Sequence, residues 1–310
     1  MNDDVFLKSL QSVTTIPLIP YRNGKIDLKA HQKNIHYLMQ CNVLDDDLKR
    51  VICIAGTSLI HHTTAAEKTD LIRATGEVMQ SDGVLISALT PNPLQELGTI
   101  IEAQYQLPRT PDGFLIMPVA GVYSPDGLYH EIKSFCNQYG EEYGAKFIFY
   151  HRQPRDQEAI IQLVNDCDYM VGIKVGTASE DVPGLVEGIG DSGLVIWGIG
   201  DRSTKAAKLG STGHTSGISV IYAKAGDMIN NAQRNGDYDT ALQIEQRIAP
   251  LEELRFRQAR AYNYAAVHAA MQLAGFSDID AGEGGPFNPA LTGDVLKEVE
   301  EAIAGLDDLH

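Results

Sequence analysis

Short apolar runs and amphipathic segments alternate along this chain almost from its first residue. Residues 13–18 form an apolar, β-branched run that predicts a strand, and Asp27 then opens a helix with Leu28, Ile35 and Leu38 at helical spacing. The pair recurs as strand 51–55 with helix 65–80, strand 84–89 with helix 94–107, and strand 114–117 with helix 124–139. Strand 147–150, helix 156–165 and strand 170–174 follow, then a weak helix near 182–187. Strand 194–199, helix 203–209, strand 218–221 and helix 226–234 complete the series. Eight strand–helix pairs of this length predict an α/β fold, a (β/α)8 TIM barrel over residues 1–236, with its active site at the carboxyl ends of the strands. A doubly wound sheet is the alternative, but Thr15-Ile16-Pro17-Leu18-Ile19-Pro20 lacks the glycine fingerprint that such a sheet carries after its first strand. From Asp237 the strand signal stops. Helices over 238–254, 253–274 and 293–305, joined through the loop 280–286, predict a C-terminal helical region, residues 237–310, packed on the barrel.

The unit from Phe147 to Gly176 carries the chemistry. Tyr150 ends one apolar strand and Lys174 ends the next, and parallel strands of a βαβ unit put both carboxyl ends on one side of the sheet. Burying an ammonium costs free energy, so a lysine at the end of an apolar strand loses affinity for its proton. A neutral lysine amine attacks carbonyls to form a Schiff base, and a neighbouring phenol can pass the protons that this requires. The alternative is a lysine that snorkels to the rim beside a core tyrosine.

Other motifs are weaker. Gly210 to Gly217 looks like a phosphate cradle, but it is predicted to join a helix to the next strand and so to lie on the stability face, which also removes His214 from the catalytic candidates. His61, His62 and His151 follow strands on the active face. They show no HxH or HExxH spacing and no well-placed carboxylate, so neither a metal site nor a cofactor is expected. Substrate hydrogen bonding is the role left to these histidines, His61 and His62 above all, with simple solvation as the alternative.

Composition narrows the partners. At 310 residues, with a formal net charge of −16, the chain would repel nucleic acid and anionic lipid, so neither is an expected partner. An anionic substrate therefore needs local cations to overcome that field. Cys41, Cys53, Cys136 and Cys167 are widely spaced, which favours reduced thiols. The acidic N-terminus lacks a signal-peptide core and no apolar run approaches membrane-spanning length, so a cytoplasmic protein is expected.

Tyr150 followed by Gly172-Ile173-Lys174 resembles the strand-ending tyrosine and Gly-Ile-Lys of the dihydrodipicolinate synthase and N-acetylneuraminate lyase family of class I aldolases. The resemblance runs from Thr14-Thr15-Ile16-Pro17 and Asn23-Gly24 through Ser124-Pro125-Asp126-Gly127, Gly200-Asp201 and Gly217-Ile218-Ser219-Val220. It implies that Lys174 is the Schiff-base lysine, Tyr150 its proton relay, and Gly200 part of the substrate site. The family's carboxylate-binding Gly-Thr-Thr-Gly-Glu loop corresponds to Gly56-Thr57-Ser58-Leu59-Ile60, where Thr57 and Ser58 keep their hydroxyls and Leu59 and Ile60 do not match. The relay aromatic of family synthases falls in Pro118-Val119-Ala120-Gly121, and Ala120 cannot replace it; Tyr123 lies three residues on. Arg155 stands where some members bind the second substrate's carboxylate, and Arg152 adds a cation.

The function implied is a lysine Schiff-base lyase acting on pyruvate or a related small-molecule 2-oxo acid, with an aldehyde as the second substrate, in a homo-tetramer or homo-dimer. A Schiff-base dehydratase of a 2-oxo sugar acid, or dihydrodipicolinate synthase itself, uses the same intermediate. A non-catalytic ligand-binding barrel and a metal-dependent lyase are the more distant alternatives.

Overall fold

The computed structural model describes residues 3–56, 59–91 and 93–310. Its centre is a closed barrel of eight parallel strands: β1 (Val13–Thr15), then, after a two-stranded hairpin β2 (Tyr21–Arg22) and β3 (Lys25–Ile26), β4 (Val51–Ile54), β5 (Val84–Leu89), β6 (Gly113–Ile116), β7 (Phe147–His151), β8 (Met170–Val175), β9 (Leu194–Trp197) and β10 (His214–Ser216). Each strand pairs with its neighbours in parallel, and β1 closes the ring by pairing with both β10 and β4. The helices are α1 (Asp3–Leu10), α2 (Leu28–Gln40), α3 (Ala65–Met79), α4 (Leu94–Tyr105), α5 (Pro125–Tyr143), α6 (Gln157–Asp166), α7 (Val182–Ile189), α8 (Thr204–Lys208), α9 (Ala223–Arg234), α10 (Tyr238–Arg260), α11 (Asn263–Ala274) and α12 (Gly293–Ile303).

Local chemistry fixes many of these boundaries. The Asp27 carboxylate caps α2 through the Ala30 N–H, and Thr64 and Glu67 form a reciprocal capping box at the start of α3. Ser124 caps α5 with Pro125 in its first turn, and Gly144 closes that helix in the left-handed conformation. The Asn23-Gly24 hairpin turn has positive φ at both residues, the geometry this dipeptide favours.

The last barrel strand differs from expectation. Residues 218–221 are an apolar run and read as a strand, yet the chain turns there, and β10 is the polar trio His214-Thr215-Ser216. Its polarity has a local cause: the Ser216 hydroxyl donates to the buried Asp201 carboxylate at 2.9 Å, and His214 Nε2 lies 3.5 Å from the same group. Ile218 and Ile221 instead join the main core beyond the strand. Residues 210–217 are thus not a helix-to-strand loop on the stability face; they include the strand itself, and Gly217 follows its carboxyl end. α1 and the β2–β3 hairpin are elements that the apolar pattern does not announce.

A buried ion pair holds the opposite face of the barrel. Arg50, just before β4, meets the Asp227 carboxylate of α9 with two bonds of 2.6 and 2.7 Å, while its remaining donors reach the Leu38 and Cys41 carbonyls. Both side chains are almost fully buried. Removing one partner leaves an uncompensated buried charge, so Asp227→Ala is expected to cost about 3–5 kcal/mol of unfolding free energy. Urea denaturation measures it, and a double change to Arg50→Met and Asp227→Leu should recover most of the loss.

The C-terminal helices are tied to the barrel's mouth by buried carboxylates. Glu245 of α10 accepts from the Ser203 and Thr204 N–H groups at 2.8 and 2.7 Å and from the Thr204 hydroxyl, at the N-terminus of α8. One turn pair further on, Glu252 accepts from the Asp201 N–H at 3.0 Å. Both contacts fall just past the carboxyl end of β9, so α10 is clamped where the barrel opens. On the far side, the Tyr264 hydroxyl of α11 donates to the Ile19 carbonyl at 2.8 Å. Among the described residues no helix is long and apolar enough to cross a membrane.

Candidate active site

Tyr150 and Lys174 face each other in register across β7 and β8. That pairing depends on an irregularity. Phe147 pairs with Met170, but Ile148 pairs with Gly172, so the register slips by one residue between them. Without the slip Tyr150 would oppose Ile173, and because side chains alternate, phenol and amine would point to opposite faces. With it, Ile148 and Tyr150 belong to the core inside the barrel, whereas Phe147, Phe149, Ile173 and Val175 pack outward against the helices. Gly172 is required at the slip, since a Cβ there would lie 2.8 Å from the Leu194 carbonyl of β9.

Lys174 is 4% exposed, and its Nζ lies 4.2 Å from the centre of the Tyr150 ring. Burial pushes the amine below its ordinary value; Tyr150 and Cys53 oppose this, and the cations Arg260 and Arg152 reinforce it. Burial would raise the Tyr150 phenol, but Lys174, Arg260 and Arg152 outweigh it and hold the phenol below its ordinary value. The phenol oxygen lies 3.5 Å from the Gly198 carbonyl and accepts from Arg260 Nη1 at 3.4 Å.

A cavity of about 200 Å³ opens onto these two groups. Ile16, Gly56, Met117, Gly198, Gly200, Thr215 and Gly217 line it from the strand ends, and His61, Arg152, Arg255, Phe256, Arg260 and Asn263 from the loops and C-terminal helices. Among these described residues there is no carboxylate, in a chain whose net charge is −16. The pocket is therefore an island of positive charge, suited to an anion.

The residues expected from sequence divide accordingly. Lys174, Tyr150, Arg152, His61 and Gly200 come together around the cavity. Gly200 has φ +66, and a Cβ there would run into the Glu252 carboxylate, so glycine lets α10 close over the mouth. His62 turns away, its ring 4.7 Å from that of Phe287. Arg155 also turns away: its guanidinium lies over the Tyr123 ring at 4.6 Å and its Nε is 3.6 Å from Asp156. Tyr123 itself donates to Asp156 at 2.6 Å and lines a separate cleft with Leu94 and Val119. His151 is fully buried on the outward-facing side of β7. Thr57 and Ser58 lie outside the described residues; beside them, Gly56 lines the cavity and Leu59 takes the left-handed conformation with φ +53.

Sequence spacing does not point to Arg255, Phe256, Arg260 or Asn263, which α10 and α11 carry into the site. The available signal is Arg255-Phe256-Arg257-Gln258-Ala259-Arg260, a cluster of three arginines within six residues of an acidic chain.

The model of the dihydrodipicolinate synthetase family matches residues 128–300. The 4-hydroxy-tetrahydrodipicolinate synthase of Thermotoga neapolitana is 23% identical over 278 residues, covering 86% of this chain and 89% of the relative. The enzyme of that name from an Anaeromyxobacter species is 27% identical over 265 residues, covering 83% and 84%. The crystal structure of dihydrodipicolinate synthase from Bacillus clausii superposes with a TM-score of 0.85 at 19% identity, covering 96% of this chain and 98% of that one, and so shares its fold. With more than half of its length matched by the family model, the chain belongs to the dihydrodipicolinate synthetase family, whose members are class I Schiff-base lyases.

Proposed function

We propose that Lys174 captures the ketone of pyruvate or a related 2-oxo acid and that the resulting enamine makes or breaks a bond at the neighbouring carbon. The observation that carries this reading is the amine of Lys174, buried with no carboxylate partner among the described residues and in register with Tyr150. Its depressed affinity for a proton leaves more of it as the neutral nucleophile at neutral pH.

The residues present can balance each step. Lys174 Nζ attacks the 2-oxo carbon, and one proton of the attacking amine passes by way of Tyr150 to the former ketone oxygen, which gives a neutral carbinolamine. Tyr150 donates its proton to the departing hydroxyl, which leaves as water, and a phenolate remains beside the iminium. That phenolate takes a proton from the carbon next to the iminium, which restores the phenol and yields the enamine. Thr57, Ser58 and the backbone of their loop are the proposed partners of the oxo acid's carboxylate. His61 and Arg152 are proposed to contact the remainder of the substrate.

Proton exchange tests the sequence of steps. In deuterium oxide the methyl signal of pyruvate, or the equivalent signal of another 2-oxo acid, should wash out in the presence of the protein. No exchange across a broad panel of 2-oxo acids contradicts the reading.

We further propose that condensation with aspartate semialdehyde is slow. Ala120 supplies no ring, and the hydroxyl of Tyr123, three residues on, is engaged in donating a hydrogen bond to Asp156. The cationic, hydrogen-bonding wall of His61, Arg152 and Asn263 suits a hydroxylated anionic oxo acid, because polar groups in a site select for partners that satisfy them. Turnover of pyruvate with the semialdehyde, measured beside a set of hydroxylated 2-oxo acids, should favour the latter; a clear preference for the semialdehyde overturns this assignment.

A further inference from the structure

α10 does not end as an ordinary helix. Arg257 leaves helical geometry with ψ 147, and Gln258, Ala259 and Arg260 then have φ of +50, +54 and +76 in succession. None is glycine, and each L-residue held in the left-handed region costs roughly 1 kcal/mol. Such a run persists only where its surroundings hold it. Here Arg255, buried and ion-paired with Glu252, donates across the break to Asn263 Oδ1 at 2.9 Å, which ties the end of α10 to the start of α11. Glu252 is in turn fixed to the Asp201 N–H at the barrel mouth.

The result of this strained turn is the placement of one guanidinium. Arg260 is half-buried, packs 5.6 Å from the Phe256 ring, lines the cavity and donates to the Tyr150 phenol oxygen. Among the described residues no carboxylate of the pocket offers it a partner. On the reaction path above, the phenol oxygen is where negative charge develops, and a fixed donor aimed at developing charge in a water-poor pocket stabilises the transition state.

We propose that Arg260 is a positioning residue for the proton relay: it holds the Tyr150 oxygen and stabilises its phenolate, work done from the C-terminal helices of the same chain. The inference rests on the Schiff-base reading for its kinetic consequences, but the contact itself is testable without turnover. Among the described residues, Lys174, Arg152, Arg260 and the Cys53 thiol act on this pair, while His61 and Arg255, the latter ion-paired with Glu252, line the same cavity. Removing the Arg260 charge makes the phenolate less favourable and the Lys174 ammonium more favourable, so both titrations move to higher pH.

The experiment compares wild type with Arg260→Met and Arg260→Lys. With carbon-13 in the tyrosine ring, the Tyr150 signal is assigned by its loss in Tyr150→Phe, and its titration midpoint is followed. Arg260→Met should raise that midpoint, lower kcat about a hundredfold, comparable to the loss of one oxyanion donor, and shift both limbs of the pH profile upward with little change in KM. Arg260→Lys, which keeps the charge, should recover most of each effect. Should Arg260→Met not fold, Arg260→Gln gives the same midpoint and the same limbs. An unmoved Tyr150 midpoint overturns the proposal, and so does a loss confined to KM, which would make Arg260 a substrate anchor. If wild type neither exchanges pyruvate protons nor forms an adduct, the Schiff-base reading fails, while the midpoint shift still reports on Arg260.

Discussion

Lys174→Met should abolish turnover while making the protein more stable. Turnover falls by on the order of 10⁴-fold or more, because the variant lacks the nucleophile and only binding interactions remain. The stability change follows from linkage. In the native state burial lowers the lysine's affinity for its proton, whereas the unfolded chain keeps the ordinary value. Below the lowered native value both states are protonated and the wild type bears the full cost of a buried ammonium. As pH rises through the window between the two values the native amine stays neutral while the unfolded chain still binds a proton, so wild-type stability rises. Above the ordinary lysine value the cost is gone. The gain in Lys174→Met is therefore largest at low pH within the folded range and shrinks towards alkaline pH. Denaturant unfolding at several pH values measures it. A variant that loses activity by unfolding, or one whose stability difference from wild type does not depend on pH, contradicts the burial of this amine.

Tyr150→Phe carries the second large effect. The change keeps the ring that packs beneath Lys174 and removes only an oxygen whose contacts, to Gly198 and Arg260, are long at 3.5 and 3.4 Å. Stability should thus change little, since bonds of that length contribute weakly. Turnover should fall about a hundredfold or more, because the hydroxyl is the group placed to move protons to and from the carbinolamine. Steady-state kinetics beside thermal melting separate the two outcomes. Near-normal kcat in a folded variant removes Tyr150 from the relay.

Much of this site is legible in the sequence because its parts are strand ends. Apolar runs such as β5 at Val84–Leu89 show their limits directly, and Lys174 stands out because an ammonium sits one residue before the end of such a run in β8. The last strand is not legible for the converse reason. β10 is polar because Asp201 accepts from Ser216 and lies beside His214 on the helix-facing side of the strand, and the neighbouring apolar run at 218–221 is core without being strand. Pairing across the barrel, not local pattern, decides between them.

Arg260 illustrates a second limit. Its position depends on Glu245 and Glu252 clamping α10 to the strand-end loops and on the left-handed run Gln258, Ala259 and Arg260 that ends α10, none of which periodicity registers. His62 and Arg155 show the reverse error: both follow strands on the active face, and both are drawn aside by an aromatic ring that lies outside the central cavity. Strand ends thus locate a barrel's active face from sequence, while the direction of loop side chains depends on contacts distant in the chain.

The most direct test of the central claim is reductive trapping. Wild-type protein is incubated with pyruvate and other 2-oxo acids, reduced with borohydride, digested and sequenced by mass spectrometry. A covalent adduct on Lys174, slowed in Tyr150→Phe and absent in Lys174→Met, is the predicted result. No adduct across the panel, or an adduct on a different lysine, contradicts the assignment of Lys174 as the Schiff-base nucleophile.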